Sequence, residues 1–200
     1  SGLAREVFDL AHVCYGHNPK FSVKGFLSDG PSNISELGYP PVLSKVDDYH
    51  VEPNDVFFCA IGNVEDRKKT VQTILNKGGE FINLIHPKAV ISPSAKVGIG
   101  VAIKAYSSLA SDTSIGSFTY LQSSVILGHD VKIGEFCHLN SFSFLAGWVT
   151  VEDQVVINAG AKILQFKKIG RKATIGMGSI VIRNVKAETT VFGNPAKKIS

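Results

Sequence analysis

Two histidines nine residues apart, His129 and His138, and the aspartate directly after the first are the residues best suited to move a proton. An imidazole titrates near neutral pH, so it can take up a proton under working conditions and release it again. Asp130 follows His129 in LGHDVKIGEFCHLN (127–140). Its carboxylate can hydrogen-bond one ring nitrogen, which fixes the tautomer and raises the basicity of the other nitrogen. A lone outward histidine is ordinarily only surface, and the chain has six. The adjacent carboxylate and the second histidine downstream set His129 apart as a candidate general base. Residues 91–186 contain only these two histidines, so a three-histidine zinc cage is unavailable there and no metal is expected.

These residues sit in a run that repeats every six residues from Ile91 to Lys186, sixteen hexads in all, each opening on Ile, Val or Leu. The fifth residue is usually small or β-branched, as in Ala95, Val101, Ser107, Thr113, Thr119, Val125, Val131 and Cys137. One aliphatic per six residues is too sparse for a helix stripe or an alternating strand. It suits a coil of short straight segments that point one large and one small residue into a narrow core. Three hexads make one triangular turn of eighteen residues. At roughly 4.8 Å per turn the prism stands about 25 Å tall. Gly98, Gly116, Gly134 and Gly170 recur on that period, with Glu152 the exception, and are expected to stack along one corner at positive φ. Tyr106, Phe118, Phe136, Phe142, Phe144, Trp148 and Phe166 fall at outward positions, which predicts exposed apolar surface and packing of the prism against its own copies. Nine residues are half a turn, so His129 and His138 cannot easily meet within one prism but can meet across a subunit boundary.

The totals exclude several classes. Two hundred residues, 44% apolar and 19% charged, with a net charge of +4, describe a globular chain. Lys and Arg are scattered with no run interleaved with aromatics, so nucleic acid is not an expected partner. Cys14, Cys59 and Cys137 fit neither a disulfide framework nor a zinc site, which points to a reducing compartment. No apolar stretch is long enough to span a bilayer and no secretory signal opens the chain, so a cytoplasmic location is expected.

Ahead of the hexads, residues 1–85 read as a small parallel α/β domain. LAREVFDLAHVCYG has helical spacing closed by Gly16, FSVKGFLSD (21–29) reads as a strand, and residues 30–50 as loop. DVFFCAI (55–61) has the dense apolar pattern of a strand buried on both faces, followed by a helix from roughly Glu65 to Lys77 and a strand FINLI (81–85). A nucleotide site of this kind normally follows a first strand, and that strand is missing here. Residues 86–200 form the repeat domain, which VFGNPAKKIS closes as a short strand, a turn and a basic end.

The hexads resemble the hexapeptide-repeat acyltransferases. LGHDVKIGEFCHLN, CAIGNVEDRKK (59–69) and FGNPAKK (192–198) narrow the resemblance to the sugar O- and N-acyltransferases, which include bacillosamine and perosamine N-acetyltransferases and sialic-acid O-acetyltransferases. The resemblance implies a left-handed parallel β-helix, a homotrimer with active sites between protomers, and acetyl-CoA as co-substrate. It assigns His129 as base, polarised by Asp130. His138, Gly147, Ala159, Met177, Asn194 and Lys197 would bind acetyl-CoA, with the Gly147 N–H donating to the thioester oxygen and Lys197 near the nucleotide phosphates. Gly2, Leu3, Ser28, Asp29, Gly62 and Asn63 would bind a nucleotide-linked sugar, Ser1, Gly2 and Leu3 aligning with the glycine turn, although Leu3 stands where the family often has His. The implied reaction is N-acetylation of a nucleotide-linked deoxy-aminosugar. O-acetylation of a sialic-acid-type sugar and a catalytically silent scaffold are the alternatives.

Overall fold

The computed structural model describes residues 2–200, which divide into two compact units, Ser1–Ile82 and Asn83–Ser200. Ser1 lies outside the described residues.

The first unit opens on helix α1 (Gly2–Tyr15), which turns Val7 and Leu10 inward and ends where the Gly16 N–H donates to the His12 carbonyl. Its strands are far shorter than the sequence pattern suggests. The 21–29 segment contributes only β1 (Phe26–Leu27), and the 55–61 segment only β3 (Val56–Phe57). The expected two-sided burial of that second segment is not found: Val56 is exposed, and of residues 55–61 only Cys59 is buried. Residues 30–50 are not simply loop either. They hold a 3-10 turn (Ser35–Leu37) and β2 (Val42–Ser44), which pairs in parallel with β1. Helix α2 (Val64–Asn76) is capped by Asn63, whose side chain accepts the Asp66 N–H at 3.1 Å. FINLI is not one strand. β4 (Glu80–Phe81) pairs with β3, whereas Leu84–Ile85 opens the second unit.

The second unit is a three-sided parallel β-helix of two-residue strands. Face one stacks Val90–Ile91, Ser108–Leu109, Ile126–Leu127, Phe144–Leu145, Lys162–Ile163 and Ile180–Val181. Face two stacks Lys96–Val97, Ser114–Ile115, Lys132–Ile133, Thr150–Val151 and Lys168–Ile169. Face three runs from Leu84–Ile85 through Ala102–Ile103, Tyr120–Leu121, His138–Leu139, Val156–Ile157 and Thr174–Ile175 to Thr190–Phe192, and Lys197–Lys198 closes it antiparallel. Partners sit eighteen residues apart, as Ser114 with Lys132 and Tyr120 with His138. The core is the expected one. Leu109, Leu121, Leu127, Leu139 and Ile157 fill it from the first hexad position, and Val101, Val125 and Val131 from the fifth. Polar fifth residues are tolerated there because they find backbone partners: Thr113 Oγ1 donates to the Ala110 carbonyl, Thr119 Oγ1 to Gly134, and Ser179 Oγ accepts the Gly193 N–H. Among the described residues no helix is long and apolar enough to cross a membrane.

Two expectations about the corners are corrected. Positive φ does not belong to the Gly98–Gly170 column but to the fourth hexad position, where Tyr106, Phe118, Asp130, Phe136, Phe142, Trp148 and Phe166 all adopt it. The register sustains it, because from Phe118 onward the fourth-position N–H reaches a third-position carbonyl one turn earlier, as Phe136 to Ser117 and Trp148 to His129. The glycine column is required by close approach instead. A Cβ on Gly116 would stand 2.5 Å from the Gly134 carbonyl carbon and 2.7 Å from the Glu135 nitrogen. The aromatics also divide. Phe118 and Phe136 are buried and stacked at 5.0 Å, with the Phe118 ring lying over Gly100, while Tyr106, Phe142, Phe144, Trp148 and Phe166 are exposed.

Glu152 occupies the glycine column by making bonds of its own. Oε1 meets Lys168 Nζ at 2.6 Å and Oε2 accepts the Arg171 N–H at 2.8 Å. The Lys168 bond, with the Arg171 N–H second, holds its carboxyl below the usual carboxylate range.

Two stability outcomes follow, both read as thermal unfolding midpoints. Gly116→Ala loses about 3 kcal/mol because backbone cannot yield, whereas Gly178→Ala, at positive φ in open space, loses about 1 kcal/mol. Glu152→Gln lowers the midpoint at neutral pH. Since the native pKa is depressed, the stabilisation is present above the unfolded value and disappears as pH falls through the native one, so variant and wild type converge in acid below the ordinary glutamate range.

Candidate active site

His129 and Asp130 lie on the corner between faces one and two. The left-handed backbone at Asp130 (φ 58°) turns its carboxylate back on the preceding side chain, and Oδ2 meets His129 Nδ1 at 2.9 Å. That bond places the imidazole proton on Nδ1 and leaves the Nε2 lone pair free to accept one. Both side chains remain about half exposed. One turn on, eighteen residues from His129, comes Gly147. A Cβ there would lie 2.8 Å from His129 Nε2, so the absence of a side chain keeps the basic nitrogen open. Among the described residues the Gly147 N–H has no acceptor, while its carbonyl takes the Phe166 N–H. A proton acceptor and an unused backbone donor therefore flank the same opening.

Trp148 was foreseen only as one of several exposed aromatics, yet it stands perpendicular to His129 with ring centroids 4.3 Å apart and stacks on Phe166 at 4.8 Å. The signal for it was the eighteen-residue period, which puts 147 and 148 directly beyond 129 and 130.

The remaining second-unit candidates gather elsewhere. His138 projects from face three, across the prism from the His129 corner, so one chain does not bring the two together. Its ring lies edge-on to Tyr120, and its Nε2 is 3.2 Å from Gln122 Nε2, a neighbour the sequence reading missed. Ala159 and Met177 follow one another on the corner between faces three and one, joined by the bond from the Gly178 N–H to the Ala159 carbonyl. The chain returns beside this corner, where the Gly193 carbonyl accepts the Ile180 N–H, and leaves Asn194 and Lys197 exposed. Face one separates the His129–Gly147 group from the Ala159–Met177–Asn194 group. Its outward residues include exposed Val90, Ile126 and Phe144. An open depression of about 400 Å³, lined by Lys132, Glu152, Asp153 and Arg171 among others, lies beyond the other end of face two. It contains no histidine, and Glu152 there is committed to Lys168 and Arg171.

In the first unit, Leu3 lies 3.7 Å from where a Gly62 Cβ would be, which brings the starts of α1 and α2 side by side. Gly2, Leu3, Gly62 and Asn63 thus share a place rich in helix N-terminal N–H groups, suited to an anion. Asn63 spends its side-chain oxygen on its own helix. Ser28 and Asp29 are also partly committed: Ser28 Oγ donates to the Gly30 carbonyl, and Asp29 Oδ1 accepts the Val46 N–H at 2.9 Å. Lys77 fixes the same segment by donating to the carbonyls of Val46, Asp47 and Tyr49. Deep burial, the larger cause, pushes the Cys59 thiol up to about 11, so it is not a nucleophile at neutral pH.

Comparison with known proteins agrees with this division. Residues 1–74 match the family model described as the PglD N-terminal domain, and residues 82–177 match the GMPPB C-terminal domain. GDP-perosamine N-acetyltransferase of Escherichia coli O157:H7 is 33% identical over 149 residues, which cover 72% of this chain and 67% of that protein. PerB from Caulobacter crescentus, solved in complex with CoA and GDP-perosamine, superposes with a TM-score of 0.90 at 28% identity, over 100% of this chain and 94% of that one. The acetyltransferase domain of PglB from Neisseria gonorrhoeae, solved with acetyl coenzyme A, superposes with a TM-score of 0.87 at 25% identity, over 100% and 95%. A relative one-third identical over two-thirds of its length, together with the repeat and both family models, places this chain among the hexapeptide-repeat sugar acyltransferases that include the perosamine N-acetyltransferases.

Proposed function

We propose that this protein transfers an acetyl group from acetyl-CoA to the amino group of a nucleotide-linked deoxy-aminosugar, with His129 as general base. The observation that carries the reading is the pairing of His129 Nε2, opened by the missing side chain of Gly147, with the unused Gly147 N–H. A silent scaffold has no need of that arrangement, and relatives that act on or bind GDP-perosamine and CoA support the substrate class.

The sugar amine attacks the thioester carbonyl carbon and forms a C–N bond. His129 Nε2 takes the proton the nitrogen loses, while Asp130 stabilises the imidazolium through Nδ1. The Gly147 N–H donates to the oxyanion, a contribution commonly worth about 3 kcal/mol of barrier. When the C–S bond breaks, the imidazolium returns its proton to the departing sulfur.

The site is shared between protomers of a homotrimer in this reading. His129, Asp130 and Gly147 of one chain face the edge of the next that carries His138, Ala159, Met177, Asn194 and Lys197. The exposed apolar residues of face one, lying between these two edges in each chain, support association there. The first unit holds the nucleotide, with Gly2, Leu3, Gly62 and Asn63 at the phosphates and Ser28 and Asp29 toward the sugar or base.

His129→Gln lowers acetyl transfer by about a hundredfold or more with folding intact, measured as thiol release with a panel of nucleotide-linked amino and hydroxy sugars; near-normal turnover ends the base assignment. Sharing between protomers is checked with two inactive variants, His129→Gln and Ala159→Trp. Trimers reassembled from an equal mixture recover about a quarter of the wild-type sites, because one site in four draws an intact residue from each neighbour. A site built within one chain gives no recovery.

A further inference from the structure

The imidazole of His129 is held at Nδ1 by one bond, and half of its side chain is exposed. A single bond to a neighbouring residue leaves the ring free to swing about that contact. The structure supplies a second constraint. Trp148 lies one turn beyond Asp130 on the same corner, its ring perpendicular (89°) to the imidazole at 4.3 Å. The Trp148 backbone N–H donates to the His129 carbonyl at 3.1 Å, which anchors the main chain, and the Phe166 ring stacks on the indole at 4.8 Å and 11°, which braces the ring. Phe118 and Phe136 show how this chain uses stacked aromatics elsewhere, since that pair is buried on the next corner. Within the single chain Trp148 and Phe166 are 46% and 59% exposed, so the contact with the imidazole does not come from burial in the chain's own core.

We propose that Trp148, braced by Phe166, is a positioning residue that holds the His129 ring with Nε2 turned toward Gly147. Asp130 sets which nitrogen carries the proton, and the indole sets where the other nitrogen points. The effect belongs to turnover rather than to binding, because a misaligned base leaves substrate affinity in place and slows the proton transfer. This inference rests on His129 being the base.

Trp148 is the only tryptophan in the chain, so tryptophan fluorescence reports on the surroundings of this ring. Removing the imidazole edge from the indole is expected to change the emission, read by comparing wild type with His129→Gln at one pH. Identical emission in the two overturns the contact. In the transfer assay, Trp148→Ala is expected to lower kcat by about tenfold or more with the KM for acetyl-CoA and for the sugar nearly unchanged. Trp148→Phe, which keeps a flat ring against the imidazole, restores most of the loss, and Phe166→Ala shows a smaller fall. A wild-type kcat in Trp148→Ala, or a loss confined to KM, overturns the positioning role. Failure of the underlying reading shows separately, as turnover retained in His129→Gln.

Discussion

The eighteen-residue register of the parallel ladder governs this molecule. Through the hexads each inner strand bonds to the strands one turn earlier and later, so residue n lies over residue n−18 until the last turn, where the offset shortens to sixteen. That stacking decides more than the core. It makes the left-handed fourth position affordable for bulky residues, since the N–H released by the turn meets a carbonyl one turn earlier. It also forces glycine at Gly116 and Gly134, where successive turns come too close for a Cβ. The same register sets Gly147 over His129, the relation on which the proposed chemistry depends.

The β-helix was legible because its signal is redundant. An aliphatic at every sixth residue for sixteen hexads leaves no competing fold. The corners were less legible. Glycines on an eighteen-residue period suggested positive φ, but a glycine column has two physical causes, conformational freedom and close approach, and periodicity alone does not separate them. The aromatics posed a similar difficulty. Phe118 and Trp148 occupy the same hexad position and adopt the same backbone, yet one is buried over Gly100 and the other open beside His129. Burial depended on what lay one turn away. In the first unit the apolar runs overstated the strands. DVFFCAI reads as a continuous buried strand, but only Val56–Phe57 finds a ladder partner, and Val56 faces out. With so few strand pairs, apolar composition reports the packing of loops as much as of sheet.

Within the site, adjacency in sequence was readable and adjacency through the stack was not read. His129 and Asp130 announce themselves as neighbours, and the left-handed turn joins them. Gly147 entered by resemblance, although eighteen residues separate it from His129 and the period alone would have placed it there. Trp148, Gln122 against His138 and Lys77 on the 46–49 carbonyls were missed for one reason: each acts on a partner distant in sequence. Ser28 and Asp29 entered by resemblance, and the sequence did not show that each also makes a local bond, to the Gly30 carbonyl and from the Val46 N–H.

A three-sided solenoid fills its interior with its own side chains, so it has no cleft of its own in which to exclude water from a reaction. The alternatives are a groove borrowed from an added domain or one formed when two prisms meet. The function proposed above takes the second alternative. His129 and the Gly147 N–H lie on one corner, Ala159 and Met177 lie on another, and the face between them exposes Val90, Ile126 and Phe144. In that reading, bringing the two edges together would bury those residues, desolvate the imidazole and strengthen the Gly147 donor in one event, because an N–H bond to a developing oxyanion gains as water is excluded. Association of subunits and assembly of the reactive centre would then be the same physical step.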